Sequence, residues 1–257
     1  KTILPGLCTI QDILHDAGYL QALMVGSDAS FAGRDDYYLQ HGTDYVYDLN
    51  SARKDGIVPL NYRVWWGMED KHLFEYAKVK LTEMSESGKP FAFTMLTVDT
   101  HHIGGYKCDL CWNEYTENYE NVIACSSRQT AAFVDWIKEQ DFYEDTAIII
   151  CGDHLSMDAE YFSRNINSEY ERHVYNCIMN PSAEAENVKN RVITPMDMFP
   201  TTLAALGCKI DGDRLGLGTN LFSGLETLAE KYGLDALNTE LAKHSDYYND
   251  NFIKNDG

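Results

Sequence analysis

Two apolar runs, each ending in a cluster of polar side chains, constrain the fold of this chain more than any other feature. Residues 91–98 (Phe-Ala-Phe-Thr-Met-Leu-Thr-Val) follow Pro90 and run into Asp99-Thr100-His101-His102. Residues 147–151 (Ala-Ile-Ile-Ile-Cys) run into Gly152-Asp153-His154. Neither run alternates apolar with polar residues, so each reads as a strand covered on both faces, the pattern of a parallel sheet between layers of helices. Segments 20–25 and 174–179 read as two further strands. Helical patterns lie between them: 9–18, opened by Thr9 and stopped by Gly18; 35–41; 68–87, with Leu73, Phe74, Ala77, Leu81 and Met84 at helical spacing; 121–140; and 197–206, closed by Gly207. This alternation predicts an α/β chain, a three-layer α/β/α sandwich with a mainly parallel sheet.

Charge narrows the function classes. Lys and Arg number 21 against 40 Asp and Glu, a net charge of −19, and such a surface repels a polyanion; nucleic acid is excluded as a partner. No apolar run approaches the roughly 18 residues of a membrane-spanning helix. The chain opens on Lys1-Thr2-Ile3-Leu4-Pro5, without an initiating Met or a signal peptide, and reads as a processed, N-terminally truncated product. Beyond Ser223 the sequence turns polar and acidic. The expected organisation is a catalytic domain over 1–225 and an acidic C-terminal extension over 226–257, partly helical, frayed from 246 onward.

In open parallel sheets, ligands bind beyond the carboxyl ends of the strands. There, Asp153 offers a hard oxygen and His154 an imidazole nitrogen to a divalent cation, and Gly152 allows the turn that aims both. The same tripeptide also reads as a turn whose Asp caps the next segment. Adjacent His101 and His102 are expected to point in different directions, one of them toward a site. After the first strand, small residues in Gly26-Ser27-Asp28-Ala29-Ser30-Phe31-Ala32-Gly33-Arg34-Asp35 bracket one Arg, whose fork of donors suits a phosphate or sulfate oxygen pair; a surface pairing of Arg34 with Asp35 or Asp36 is the other reading. Trp65-Trp66-Gly67 either floors a lipid or sugar pocket or joins the core ahead of the long helix. Among seven cysteines, Cys151, Cys177 and Cys208 read as small core residues.

These clusters, in this order, resemble the sulfatase and alkaline phosphatase superfamily, and within it the membrane phosphoglycerol transferases that modify periplasmic glucans, with lipoteichoic acid synthases more distant. The matching motifs are Leu14-His15-Asp16-Ala17-Gly18-Tyr19, the 26–35 cluster, Trp66-Gly67-Met68-Glu69-Asp70, Leu96-Thr97-Val98-Asp99-Thr100-His101-His102 and Gly152-Asp153-His154, and the likeness extends to about Gly224. Ala32 and Val25, where lipoteichoic acid synthases carry an aromatic residue and a His, favour the glucan-type branch.

The resemblance implies that Asp153 and His154 ligate a catalytic divalent metal, manganese before magnesium, zinc or calcium, with its other ligands ahead of Lys1. It implies that His101 is catalytic, contacting the substrate phosphate or the leaving group. Arg34 would bind phosphoryl oxygens, with Asp28, His102 and Trp66 as further substrate-binding residues. The family's Thr nucleophile and an acidic metal ligand are expected ahead of Lys1, so this piece alone is expected to be inactive. The implied activity of the complete protein is transfer of glycerophosphate from phosphatidylglycerol, an anionic phospholipid, to a cell-envelope glycan through a Thr-linked intermediate. It would act at the extracytoplasmic face of the membrane, which it would reach only through segments outside this chain. A sulfatase, a phosphoethanolamine transferase and a catalytically silent glycan-binding module are the alternatives. A disulfide between Cys125 and either Cys108 or Cys111 is also expected, since the glucan branch shows cysteines there; its rival is a zinc site of Cys108, Cys111, Cys125 and a His such as His102. Arg34, His101, Asp153 and His154 are expected to converge on one cleft.

Overall fold

Thr9 starts the first helix through a reciprocal cap: Asp12 N–H donates to Thr9 Oγ1 at 3.2 Å and Thr9 N–H donates to Asp12 Oδ2 at 2.7 Å. The computed structural model describes residues 2–186 and 189–254. In order the chain forms α1 (Ile10–Asp16), β1 (Leu20–Val25), α2 (Arg34–Gln40), β2 (Tyr45–Tyr47), α3 (Leu49–Lys54), α4 (Asp70–Ser85), β3 (Phe91–Leu96), α5 (Asn118–Lys138), β4 (Ile148–Cys151), α6 (Ala159–Asn165), β5 (Asn176–Met179), α7 (Pro195–Ala205), β6 (Arg214–Leu215), β7 (Gly218–Thr219), α8 (Leu228–Tyr232), α9 (Leu234–Leu241) and α10 (Asp246–Tyr248). Two compact units share it: Lys1–Gln140 with Leu155–Arg172 and Asp250–Gly257, and Asp141–His154 with His173–Asn249.

The first unit is built on a parallel sheet of order β2-β1-β3, with Leu20 opposite Phe91 and Val25 opposite Leu96. β1 is its buried centre: Ala22, Leu23, Met24 and Val25 are almost wholly covered. α4 buries Leu73, Phe74, Ala77, Leu81 and Met84, and Phe74 meets Phe133 of α5 with ring centroids 5.0 Å apart. Burying each of the larger of these side chains contributes about 1.5–3 kcal/mol. The run 91–98 departs from its expected place. β3 is half-buried with Leu96 exposed, because among the described residues it pairs with β1 alone and lies at the sheet's edge.

The second unit holds two antiparallel pairs, β4–β5 with Ile148 opposite Met179, and β6–β7. The strand expected over 174–179 thus runs against its neighbour. α7 opens on Pro195 behind a Thr194–Asp197 cap, and Gly207 takes the left-handed φ of +84° that stops it. The acidic segment is tied down at its start: Arg191 Nε donates to Glu230 Oε1 at 2.7 Å, and the buried Thr227 hydroxyl donates to Val192 O at 2.6 Å. Residues 249–253 continue α10 as a wider helical turn, and the last three residues of the expected frayed end lie outside the described residues. Cys151 and Cys208 are exposed and Cys177 half-buried, contrary to the core reading; two-stranded pairing gives the β4–β5 surface too little cover.

Candidate functional site

The carboxyl end of β1 and the turn before α4 are pressed together by two glycines. Met68 N–H donates to Gly26 O at 2.8 Å, and a Cβ at Gly67 would lie 2.2 Å from the same oxygen. Side chains are excluded there, so the turn from Val64 to Gly67 can present both tryptophans at the strand end. Trp65 and Trp66 are each 39% exposed, which removes the core reading of this pair.

Beyond β1 the backbone passes through left-handed φ at Ala32 (58°) and Gly33 (73°), and this reversal folds the Arg34 side chain back over its own loop. Arg34 Nη2 donates to Ser27 Oγ at 2.7 Å and to Asp28 O at 3.0 Å, while Nε donates to Phe31 O at 3.2 Å. The guanidinium carbon lies 5.5 Å from the centre of the Phe31 ring. Nη1 has no hydrogen bond among the described residues. Burial lowers the Arg34 pKa, with Asp28 and Asp35 opposing it, and the group stays charged. Asp28 is engaged within the loop: its Oδ1 accepts the Ser30 hydroxyl at 2.7 Å and N–H at 2.9 Å, which holds its carboxyl below the usual range. This makes Asp28 a buttress of the loop that carries Arg34.

A row of rings leads from Arg34 to the histidines. Phe31 meets Trp66 edge-on at 6.0 Å, Trp66 meets His101 at 4.9 Å, and His101 stacks on His102 at 4.7 Å with 25° between planes. The adjacent histidines therefore do not diverge as expected. His101 Nδ1 lies 2.7 Å from His102 O. A carbonyl only accepts, so Nδ1 carries the proton and Nε2 is left for chemistry.

Two carboxylates that spacing alone did not mark set this loop. Asp70, at the start of α4, accepts Val98 N–H at 2.7 Å and Asp99 N–H at 3.1 Å, and Asp99 Oδ1 accepts Asp70 N–H at 3.1 Å. Both side chains are buried, and Asp99 Oδ2 has no hydrogen-bond partner among the described residues. Burial, then the Asp70 charge, pushes the Asp99 carboxyl up to about 8, and burial raises Asp70 as well. The available signal was an Asp at each end of the contact, one opening a long helix and one closing an apolar strand.

Arg34, Phe31, Trp66, His101 and His102 thus gather within the first unit. Asp153 and His154 gather within the second, at the end of β4: His154 N–H donates to Asp153 Oδ1 at 2.9 Å, and His154 Nε2 lies 3.4 Å from Asp153 Oδ2. Both are exposed, and together they present a carboxylate oxygen and an imidazole nitrogen, a donor set that fits two positions of a divalent cation. Cys108, Cys111 and Cys125 form a separate cluster of free thiols whose sulfurs lie within 4.8 Å of one another. Near it, a cavity of about 380 Å³ between α4 and α5 is lined by Lys71, Phe74, Leu110 and Phe133 and includes none of the residues in the ring row.

The family model described as Sulfatase matches residues 5–208. Phosphoglycerol transferase I of Escherichia coli O139:H28 (strain E24377A / ETEC) is 30% identical over 232 residues, 87% of this chain and 29% of its own length. The protein of that name from Shigella boydii serotype 18 gives the same figures. This chain therefore spans less than a third of the curated relatives it matches. Among solved structures, a protein in the alkaline phosphatase superfamily from Vibrio parahaemolyticus is similar with a TM-score of 0.68 at 22% identity, covering 90% of this chain and 55% of that one. The lipoteichoic acid synthase LtaP from Listeria monocytogenes gives 0.62 at 23%, covering 82% and 55%. These two likenesses show the alkaline-phosphatase-type α/β fold.

Proposed function

We propose, from the premise that this chain belongs to the sulfatase family, that it is part of a phosphoglycerol transferase acting on the glycerophosphate of an anionic phospholipid at the extracytoplasmic face of the membrane, with a cell-envelope glycan as acceptor. The observation that carries this reading is the row from Arg34 to His101: a cationic fork held by its own loop, two exposed aromatic rings, and an imidazole with one nitrogen fixed. The name phosphoglycerol transferase I, borne by relatives aligned over 87% of the chain, supports it.

In this mechanism Arg34 Nη1 donates to a non-bridging phosphoryl oxygen and opposes the charge that builds up there. Phe31 and Trp66 offer an apolar floor to the glycerol carbons. A Thr of the family's motif, outside the residues of this chain, attacks as the alkoxide after losing its proton to solvent, forming the new P–O bond as the bond to the diacylglycerol oxygen breaks, and it leaves again as the alkoxide in the second displacement. His101 Nε2, protonated, gives its proton to that leaving oxygen. In the second displacement the same nitrogen takes the proton of the attacking glycan hydroxyl while the phosphoryl–Thr bond breaks. Asp153 and His154 would hold manganese, which when bound would supply a Lewis acid for phosphoryl chemistry.

The test uses the full-length native protein with vesicles of phosphatidylglycerol. Manganese-dependent release of diacylglycerol is expected, reduced on the order of 10²-fold or more by Arg34→Ala or His101→Ala. No release, from folded protein with metal bound, would sink the transferase reading, and hydrolysis of sulfate esters instead would move the chain to the sulfatases.

A further inference from the structure

We infer that Cys108, Cys111 and Cys125 bind a zinc ion, which fastens the loop after the histidine pair to helix α5. The site is independent of the phosphoryl chemistry proposed above. Three sulfurs, two of them on buried residues, lie within 4.8 Å of one another. Cys108 Sγ and Cys111 Sγ are 3.6 Å apart. Two sulfurs each about 2.3 Å from a tetrahedral zinc ion sit about 3.8 Å from one another, so this edge of the triangle already has the required length.

The surroundings of the sulfurs are donors. Gln129 Nε2 points at Cys125 Sγ at 3.5 Å and at Cys108 Sγ at 3.9 Å. An N–H aimed at sulfur is the arrangement a metal-bound thiolate takes from its outer shell, and it leaves Gln129 Oε1 buried without a partner among the described residues. A disulfide would use two of the three sulfurs and leave the third beside them.

The loop is held from outside as well. Lys71 Nζ donates to Asp109 at 2.7 Å, Asn121 Oδ1 accepts the N–H groups of Glu114 and Tyr115 at 2.7 and 2.9 Å, and Cys111 N–H closes the turn onto Cys108 O at 3.1 Å. His102, the fourth ligand suggested by spacing, does not join the cluster, nor does any carboxylate among the described residues. The set is three thiolates, with water in the fourth position. Binding releases the three thiol protons to solvent.

The chain purified under reductant, with no added metal, is analysed for zinc and by intact mass in native and denaturing conditions. Cobalt is then exchanged into the wild type and into Cys125→Ser. One zinc per chain, and a thiolate-to-cobalt charge-transfer band that Cys125→Ser loses, are expected. The wild-type spectrum and mass do not depend on whether the variant folds. A mass two hydrogens low without metal would replace the site with a disulfide, and three free thiols with less than a tenth of an equivalent of zinc would overturn it.

Discussion

Asp70 and Asp99 hold one another through main chain: each carboxylate accepts the other's backbone N–H, and Asp70 takes Val98 N–H as well. This clamp joins the start of α4 to the loop that carries His101. Asp70→Ala leaves two N–H groups unpaired, one of them on the buried Asp99. A loss of about 2–4 kcal/mol is expected in urea unfolding, with Asp70→Asn losing less because its amide oxygen still accepts one of the two.

Asp99 gives the clamp a pH dependence. Its folded pKa lies near 8, far above that of an unfolded Asp, so the native state holds a proton that the unfolded chain has released. Its contribution is complete below the unfolded value and is lost as pH rises through about 8. Asp99→Asn keeps the shape and cannot ionise. Relative to this variant, the wild type should lose stability between about pH 5 and pH 8, by up to about 1.4 kcal/mol for each pH unit. Parallel melting curves of the two proteins across that range would contradict the assignment.

Arg34 is expected to resist conservative exchange. Lys keeps the charge but cannot donate to Ser27 Oγ, Asp28 O and Phe31 O while keeping a nitrogen for the ligand. Titration with sn-glycerol phosphate, followed by calorimetry on the full-length protein, should show Arg34→Lys binding at least about tenfold more weakly than wild type, a difference of about 1.4 kcal/mol. Equal affinity would mean that charge alone is used.

The Arg191–Glu230 pair fastens the beginning of the acidic extension. The Arg191 guanidinium holds the Glu230 carboxyl down to about 2. Because the folded value is depressed, the stabilisation is present above the ordinary Glu range and is lost as pH falls toward 2. Glu230→Gln should cost about 1 kcal/mol at pH 7 and almost nothing at pH 2, as read by thermal melts at the two pH values.

Much of this was legible in residues whose local chemistry leaves little choice. Thr9, Gly18, Pro195 and Gly207 bracket helices where caps and left-handed φ demand them, and β1 lies where residues 20–25 place it. β2 has only three residues, too few to show a period, and it forms because β1 offers a free edge. The antiparallel course of β5 depends on pairing with β4, which no local pattern encodes. At the site, Arg34 and His101 stood out by residue type and motif. Phe31, Ser27 and the Asp70–Asp99 clamp did not, since each acts through a contact between segments far apart in sequence or through a backbone reversal at Ala32.

The central claim is a phosphoryl site on Arg34 and His101 of the first unit, with a divalent cation on Asp153 and His154 of the second. A crystal structure of the full-length protein with manganese and sn-glycerol phosphate measures it directly. The expected result is phosphate held by Arg34 with His101 Nε2 against one of its oxygens, and an anomalous manganese peak bonded to a carboxylate oxygen of Asp153 and a ring nitrogen of His154. Manganese bound elsewhere, or phosphate bound away from Arg34, would contradict it.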